Sequence, residues 1–136
     1  MVLKRGHTEV VKRFREVCED TFKAGIPYFT FWAMSEDNFS KRPKAEVNFL
    51  LSLFKKELGN AELLKLVKDY NVRVRIIGRW RELVKDKELH FDIDKLERET
   101  VNFKRNHLTV LFGYDGKREM IEAIKSLKKE KSEKID

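Results

Sequence analysis

The sequence predicts an α/β domain built on a parallel sheet of about three strands with helices on both faces. Three observations carry that prediction. The run from Tyr28 to Met34 is unbroken apolar and aromatic, bounded by Gly25 and Pro27 on one side and Ser35 on the other. It reads as a strand buried on both faces, and such burial goes with parallel sheets flanked by helices. Strand-like and helix-like segments then alternate along the chain, the order that gives crossovers and parallel pairing. Finally, 136 residues suffice for one hydrophobic core and leave no room for two ordinary domains.

The elements follow in order. Met1 to Arg5 is a short basic lead-in. From Thr8 to Ala24, Val10, Val11, Phe14, Val17, Cys18 and Phe22 recur at helical spacing, with Thr8 as cap and Gly25 as stop. The Tyr28–Met34 strand runs into a polar loop, Ser35 to Pro43. Pro43 suits a helix start, and Val47, Leu50, Leu51, Phe54 and Leu58 form the next apolar stripe. Gly59 and Asn60 interrupt it, and Leu63, Leu64, Leu66 and Val67 continue as a further helix toward Tyr70. VRVRII, Val72 to Ile77, is a second strand; its alternating Arg73 and Arg75 place one side near the sheet's edge or under acidic partners. Arg79 to Val84 reads as a helical turn, and Asp92 or Ile93 to Arg105 as a helix. Leu108 to Phe112 is a third strand. The last helix, Arg118 to Leu127, should bury Met120, Ile121, Ile124 and Leu127. Residues 1–127 form the domain and 128–136 a charged, solvated tail.

Charged residues make up 39% of the chain and the net charge is +7, which points to an anionic partner: diphosphate, nucleic acid or an anionic membrane surface. Cys18 is the only cysteine, so an intramolecular disulfide and a thiolate metal cluster are excluded; it reads as a small core residue. No apolar run approaches the roughly 20 residues that span a bilayer. The expected location is the cytoplasm, with at most peripheral membrane contact.

Parallel strands would open three segments at one edge: Ser35 to Arg42, Gly78 to Arg81, and Gly113 to Arg118. Ligands bind at the carboxyl ends of such strands. This edge gathers Ser35, Asp37, Asn38, Lys41, Arg42, Arg79, Arg81, Tyr114, Lys117 and Arg118, a set suited to phosphate oxygens.

At these residues a resemblance emerges. AMSEDNFSKRPKAEV resembles the cis-prenyltransferase family signature Phe-Ser-x-Glu-Asn-Trp/Phe-x-Arg-Pro/Ser-x-x-Glu-Val of undecaprenyl and dehydrodolichyl diphosphate synthases. Gly6-His7 resembles the Gly-His of the family's first helix, VRVRIIG its second diagnostic strand, and ERETVNFKRNHLTVLFGYDGKREMIEAI its Glu-x-x-Thr, Asn-x-x-Leu-Thr and Asn-Tyr-Gly-Gly-Arg-x-Glu-Ile segment. Order and spacing hold from about Arg5 to about Leu127.

The resemblance implies an enzyme that condenses isopentenyl diphosphate onto an allylic diphosphate, with Mg²⁺ as cofactor. Ser35 and Asn38 match the catalytic pair, and Arg42 the substrate-positioning arginine. His7 matches the histidine near the allylic diphosphate, Glu46 the glutamate that opens the following helix, and Tyr114 and Lys117 belong to the substrate-binding third turn. Leu50, Leu51, Phe54 and Leu58 would line the groove for the growing chain. Each polar residue has a plainer reading: Ser35 and Asn38 as turn formers, Glu46 as a first-turn dipole partner, His7 as a helix-start residue.

Departures shape the expectation further. The family's Asp-Gly-Asn-x-x-Arg-Trp loop lies upstream of Gly-His, and its Arg-x-Ser-Gly-Glu-x-Arg-x-Ser segment lies downstream of the matched span. Lys41 reads as an insertion, Val10 and Arg79 replace a usual Gly and Asp, and Asp115 and Lys117 replace Gly and Arg. The chain is therefore expected to be a middle portion of the fold, without the Mg²⁺ ligands and inactive alone. It would act with a cis-prenyltransferase-like partner, as homo- or hetero-oligomer, either as a catalytic module or as a non-catalytic accessory subunit. A small basic RNA-binding domain using Tyr28, Phe29, Phe31 and Trp32 is the alternative from another class. The continuity of that aromatic run favours a core strand instead.

Overall fold

The computed structural model describes residues 2–129; Met1 and the part of the charged tail from 130 to 136 lie outside the described residues. The elements are α1 (Val2–Lys23), β1 (Tyr28–Ser35), α2 (Glu36–Lys41), α3 (Lys44–Leu58), α4 (Ala61–Asp69), β2 (Val72–Ile77), α5 (Trp80–Leu83), α6 (Lys87–Thr100), β3 (Asn106–Tyr114) and α7 (Gly116–Lys129). The three strands form one parallel sheet in the order β1-β3-β2. Both the α/β class and the parallel pairing match the sequence reading.

One face of the sheet carries Phe31, Val74, Ile76, Leu108, Val110 and Phe112 toward side chains of α1, α3, α4 and α6. Phe14, Cys18 and Phe22 of α1 sit four residues apart and are buried, which is the spacing of one helical face. Phe112 is fully buried and stacks on Phe54 with ring centroids 4.2 Å apart. α6 seals the outer edge of β2: Val74 N donates to Thr100 Oγ1 at 3.0 Å and Ile76 N to Glu97 Oε1 at 2.7 Å. Two strand donors that an additional strand would otherwise take are thereby satisfied by side chains.

Several boundaries differ from expectation. Thr8 is not a cap, because α1 is already helical from Val2 and takes in most of the lead-in. The polar stretch after Ser35 is not a loop: residues 36–41 form α2, with Ser35 as its N-cap. α6 begins six residues before Ile93, since Asp86 Oδ1 accepts from Glu88 N at 3.0 Å and Leu89 N at 3.3 Å and starts the helix there. It ends at Thr100, short of Arg105.

The larger corrections concern burial. β1 is an edge strand, and Tyr28 is 70% and Trp32 59% exposed, while Phe29, Phe31 and Ala33 face the core. Alternation along the pleat allows this even in a continuous apolar run. Tyr28 stacks on His107 and Trp32 lies edge-on to Tyr114, but a second helical layer is not found over β1 among the described residues. On α7 the stripe Met120, Ile121, Ile124 and Leu127 is exposed, not buried. Val10 and Val17 of α1 are about half exposed as well. No helix among the described residues is long and apolar enough to cross a membrane.

Candidate active site

The ends of the three strands form a shared rim. Ser35 pairs in register with Tyr114, and Ile77 with Leu111, so the turns after β1, β2 and β3 leave the sheet together. Gly78, with φ +141°, lets the β2 turn press on β3: a Cβ there would lie 2.0 Å from the Phe112 carbonyl oxygen. Arg79 N donates to Gly113 O at 2.9 Å and completes the seam.

Ser35 and Asn38 are brought together by the start of α2. Asn38 N donates to Ser35 Oγ at 3.1 Å, and Ser35 N to Asn38 Oδ1 at 3.0 Å. This reciprocal capping box satisfies two otherwise orphan donors. In this geometry the pair serves as a helix cap, where the sequence suggested turn formers in a loop. The Ser35 hydroxyl proton and the Asn38 side-chain amide N–H groups are still donors in chemical inventory.

Beside the pair, Glu36 ties the three turns to one another. Arg79 Nη1 donates to Glu36 Oε1 at 2.5 Å, and Arg118 Nε lies 3.0 Å from Glu36 Oε2. That second contact is an ion pair without hydrogen-bond alignment, since Oε2 is buried and makes no hydrogen bond. Arg79 also donates from Nε and Nη2 to Glu82. Those hydrogen bonds, to Glu82 first and Glu36 second, raise the Arg79 pKa, and Arg79 in turn lowers that of Glu82.

A second cluster joins α1 to α3. Glu46 Oε1 sits 3.2 Å from His7 Nε2 and 3.1 Å from Arg42 Nη1. A carboxylate only accepts, so His7 carries its proton on Nε2 in this contact. His7 and Arg42 border an apolar cavity of about 180 Å³ between α1, α3 and the sheet, walled by Phe31, Ala33, Leu50, Leu53, Phe54 and Phe112 among others. Glu57 also lines it, paired with Arg15 at 3.1 Å. Burial raises the Glu57 pKa, and Arg15 opposes the shift.

Glu46 therefore bridges His7 and Arg42, and Ser35 and Asn38 contact each other. Tyr114 is half-buried on the rim next to Trp32, and Lys117 is exposed in the first turn of α7. No hydrogen bond or ion pair among the described residues joins these two to the His7 cluster. The carboxylates do not fit a Mg²⁺ site. No three His, Cys, Asp or Glu converge among the described residues, and the rim carboxylates of Glu36, Asp37 and Glu82 each face a cation, Asp37 meeting Lys41 at 2.6 Å.

The comparisons agree on one family. The family model for undecaprenyl diphosphate synthase matches residues 1–136. The chain belongs to the undecaprenyl diphosphate synthase family. An isoprenyl transferase of Thermus thermophilus is 36% identical over 123 residues, covering 90% of this chain and 46% of that one. Dehydrodolichyl diphosphate synthase 2 of Arabidopsis thaliana is 38% identical over 122 residues, 90% of this chain and 38% of its own. Among solved structures, lavandulyl diphosphate synthase from Lavandula x intermedia, in complex with dimethylallyl diphosphate, superposes with a TM-score of 0.83 at 25% identity. That superposition covers 93% of this chain and 52% of the lavender one. The chain thus spans about half the length, or less, of these family members.

Within that family frame, sequence reasoning missed Glu36 as the junction of the rim and the Arg15–Glu57 pair beneath the cavity. In the sequence Glu36 is only one acidic residue in the polar stretch that follows Ser35. Its two partners come from turns far along the chain, and nothing in periodicity links them.

Proposed function

We propose that the chain is a cis-prenyltransferase module that joins isopentenyl diphosphate to an allylic diphosphate, together with the rest of the fold that its relatives carry. The apolar cavity bordered by His7 and Arg42 supports this reading best. A prenyl diphosphate is an apolar tail ending in a polyanionic head, and the cavity offers an apolar wall with a guanidinium and an imidazole at its border. Diphosphate leaves as the allylic C–O bond breaks, the isopentenyl double bond forms the new C–C bond, and a proton is lost as the cis double bond appears. Arg42 would hold a phosphate oxygen, Glu46 would orient Arg42 and His7, and Ser35 with Asn38 would sit where the departing proton needs a polar partner. Tyr114 and Lys117 would take the second diphosphate. Mg²⁺ is the expected cofactor, neutralising the leaving group, and its ligands are expected from a partner chain or from the rest of the fold.

Radiolabelled isopentenyl diphosphate with farnesyl diphosphate and Mg²⁺ tests the reading, with this chain alone and with a polypeptide supplying the remaining strands. Polyprenyl product is expected only in the second case. No product in either overturns it. A second reading, an accessory subunit of a heteromeric synthase, is favoured by the pairing of Glu36, Asp37 and Glu82 with cations. It predicts that Ser35→Ala with Asn38→Ala leaves the assembled enzyme's activity unchanged.

A further inference from the structure

We propose that Glu36 is a built-in competitor for diphosphate: its carboxylate occupies the guanidinium pair of Arg79 and Arg118 and gives up Arg118 when an anion binds. The inference rests on the proposed function and names a regulatory contact in that same rim. A carboxylate and a phosphate oxygen present the same kind of acceptor to a guanidinium, and Glu36 lies where the ends of all three strands converge.

The two arginines are held unequally. Arg79 donates to Glu36 and to Glu82 and is 30% exposed. Arg118 is 48% exposed and approaches Glu36 through Nε without a hydrogen bond, leaving Oε2 buried and unsatisfied. No side-chain hydrogen bond holds Arg118 among the described residues, and its charge is shared between Glu36 and Glu82. Arg118 is thus the arm that can swing, and Lys117 beside it is exposed. Two carboxylates, Glu36 and Glu82, also cancel the two guanidinium charges. Within this cluster the two guanidinium charges are therefore balanced until Glu36 yields, and only the neighbouring exposed Lys117 adds uncompensated positive charge.

Calorimetric titration of metal-free pyrophosphate into the full chain at fixed ionic strength tests this. Glu36→Gln should bind about tenfold more tightly than wild type, about 1.4 kcal/mol, and adding Arg118→Ala should abolish the gain. Glu36→Ser, a smaller change at the start of α2, carries the same expectation. Equal or weaker binding by the Glu36 variants, or a gain that survives Arg118→Ala, overturns the inference. Failure of both Glu36 variants to fold overturns it too, by showing a purely structural clamp. Wild-type binding of pyrophosphate with no gain in the variants leaves the proposed function standing. Absence of polyprenyl product from the completed enzyme overturns that function without touching the titration.

Discussion

Replacing Gly78 with alanine should cost far more stability than the same change at any other glycine in a turn, because two penalties coincide there. The backbone has φ +141°, and a Cβ would meet Phe112 O at 2.0 Å, Phe112 C at 2.8 Å and Gly113 C at 3.0 Å. The conformation alone costs a residue with a Cβ about 1–3 kcal/mol. The overlap is with backbone, so no side chain can step aside. Relief requires separating the β2 turn from β3 and losing the Arg79 N to Gly113 O hydrogen bond, a further loss of about 1 kcal/mol or more. The total is about 2–4 kcal/mol or more, a large part of the roughly 5–15 kcal/mol that holds a domain folded. Two other glycines supply internal controls. Gly25 has φ +77°, and an added methyl group there would find nothing within 4 Å, so Gly25→Ala should cost only about 1–2 kcal/mol. Gly6 lies within α1 with open space around it, so Gly6→Ala should stabilise by about 0.5–1 kcal/mol. Urea unfolding midpoints of the three variants check the ranking. A Gly78→Ala cost no greater than that of Gly25→Ala would refute the close approach of β2 and β3. Any variant that survives should also lose the contact of Arg79, the next residue, with Glu36.

Other outcomes follow from single observations. The Glu57 pKa is raised in the folded state, by burial against the opposing pull of Arg15, so the fold favours its protonated form. Its contribution is therefore fully present below the unfolded value near 4.5 and is lost as pH climbs through the folded one. The stability advantage of wild type over Glu57→Gln should shrink as pH rises above the unfolded value in urea titrations, and an advantage that grows would contradict the burial. Burial likewise pushes the Cys18 thiol up to about 12, so alkylating reagents at mild alkaline pH should label it only as fast as the chain unfolds; rapid native-state labelling would contradict the packing of α1. Ser35→Ala and Asn38→Ala should each cost about 1 kcal/mol through the lost cap. Their double variant should cost clearly less than the sum, as in a double-mutant cycle between contacting residues, and strict additivity would count against the reciprocal bonds.

What the sequence conveyed was the part of the fold encoded in local pattern. VRVRII between Asn71 and Gly78 reads as a strand and is one, and the stripe Val47 to Leu58 is α3. The meeting of three turns at one edge follows from parallel pairing alone, and the register of Ser35 with Tyr114 bears it out. Local signals also explain the misplaced boundaries. Periodicity anchored on Ile93 overlooked Leu89, although Asp86 is a good N-cap with Glu88 in the first turn. The capping box at Ser35 was unreadable because its third helical residue is Asn38, where glutamate or glutamine usually stands. The contacts of His7 with Glu46 and of Glu36 with Arg79 depend on how α1, α3 and the strand ends pack. Residue spacing carries no information about that packing.

The two mistaken burials share a cause. The continuous run of β1 and the stripe on α7 are both patterns of residues covered on a side where the described chain provides no cover. Hydrophobic pattern reports the surroundings a segment is suited to, and it cannot say which polypeptide supplies them. Members of the family carry about twice this length, and under the proposed function the exposed Tyr28, Trp32 and α7 surfaces are where the rest of a cis-prenyltransferase packs. The β2 edge differs in kind, since Thr100 and Glu97 already occupy its donors. An added strand therefore has one open position in this sheet, alongside β1, next to the Ser35–Asn38 turn and within reach of the rim on which the proposed chemistry depends.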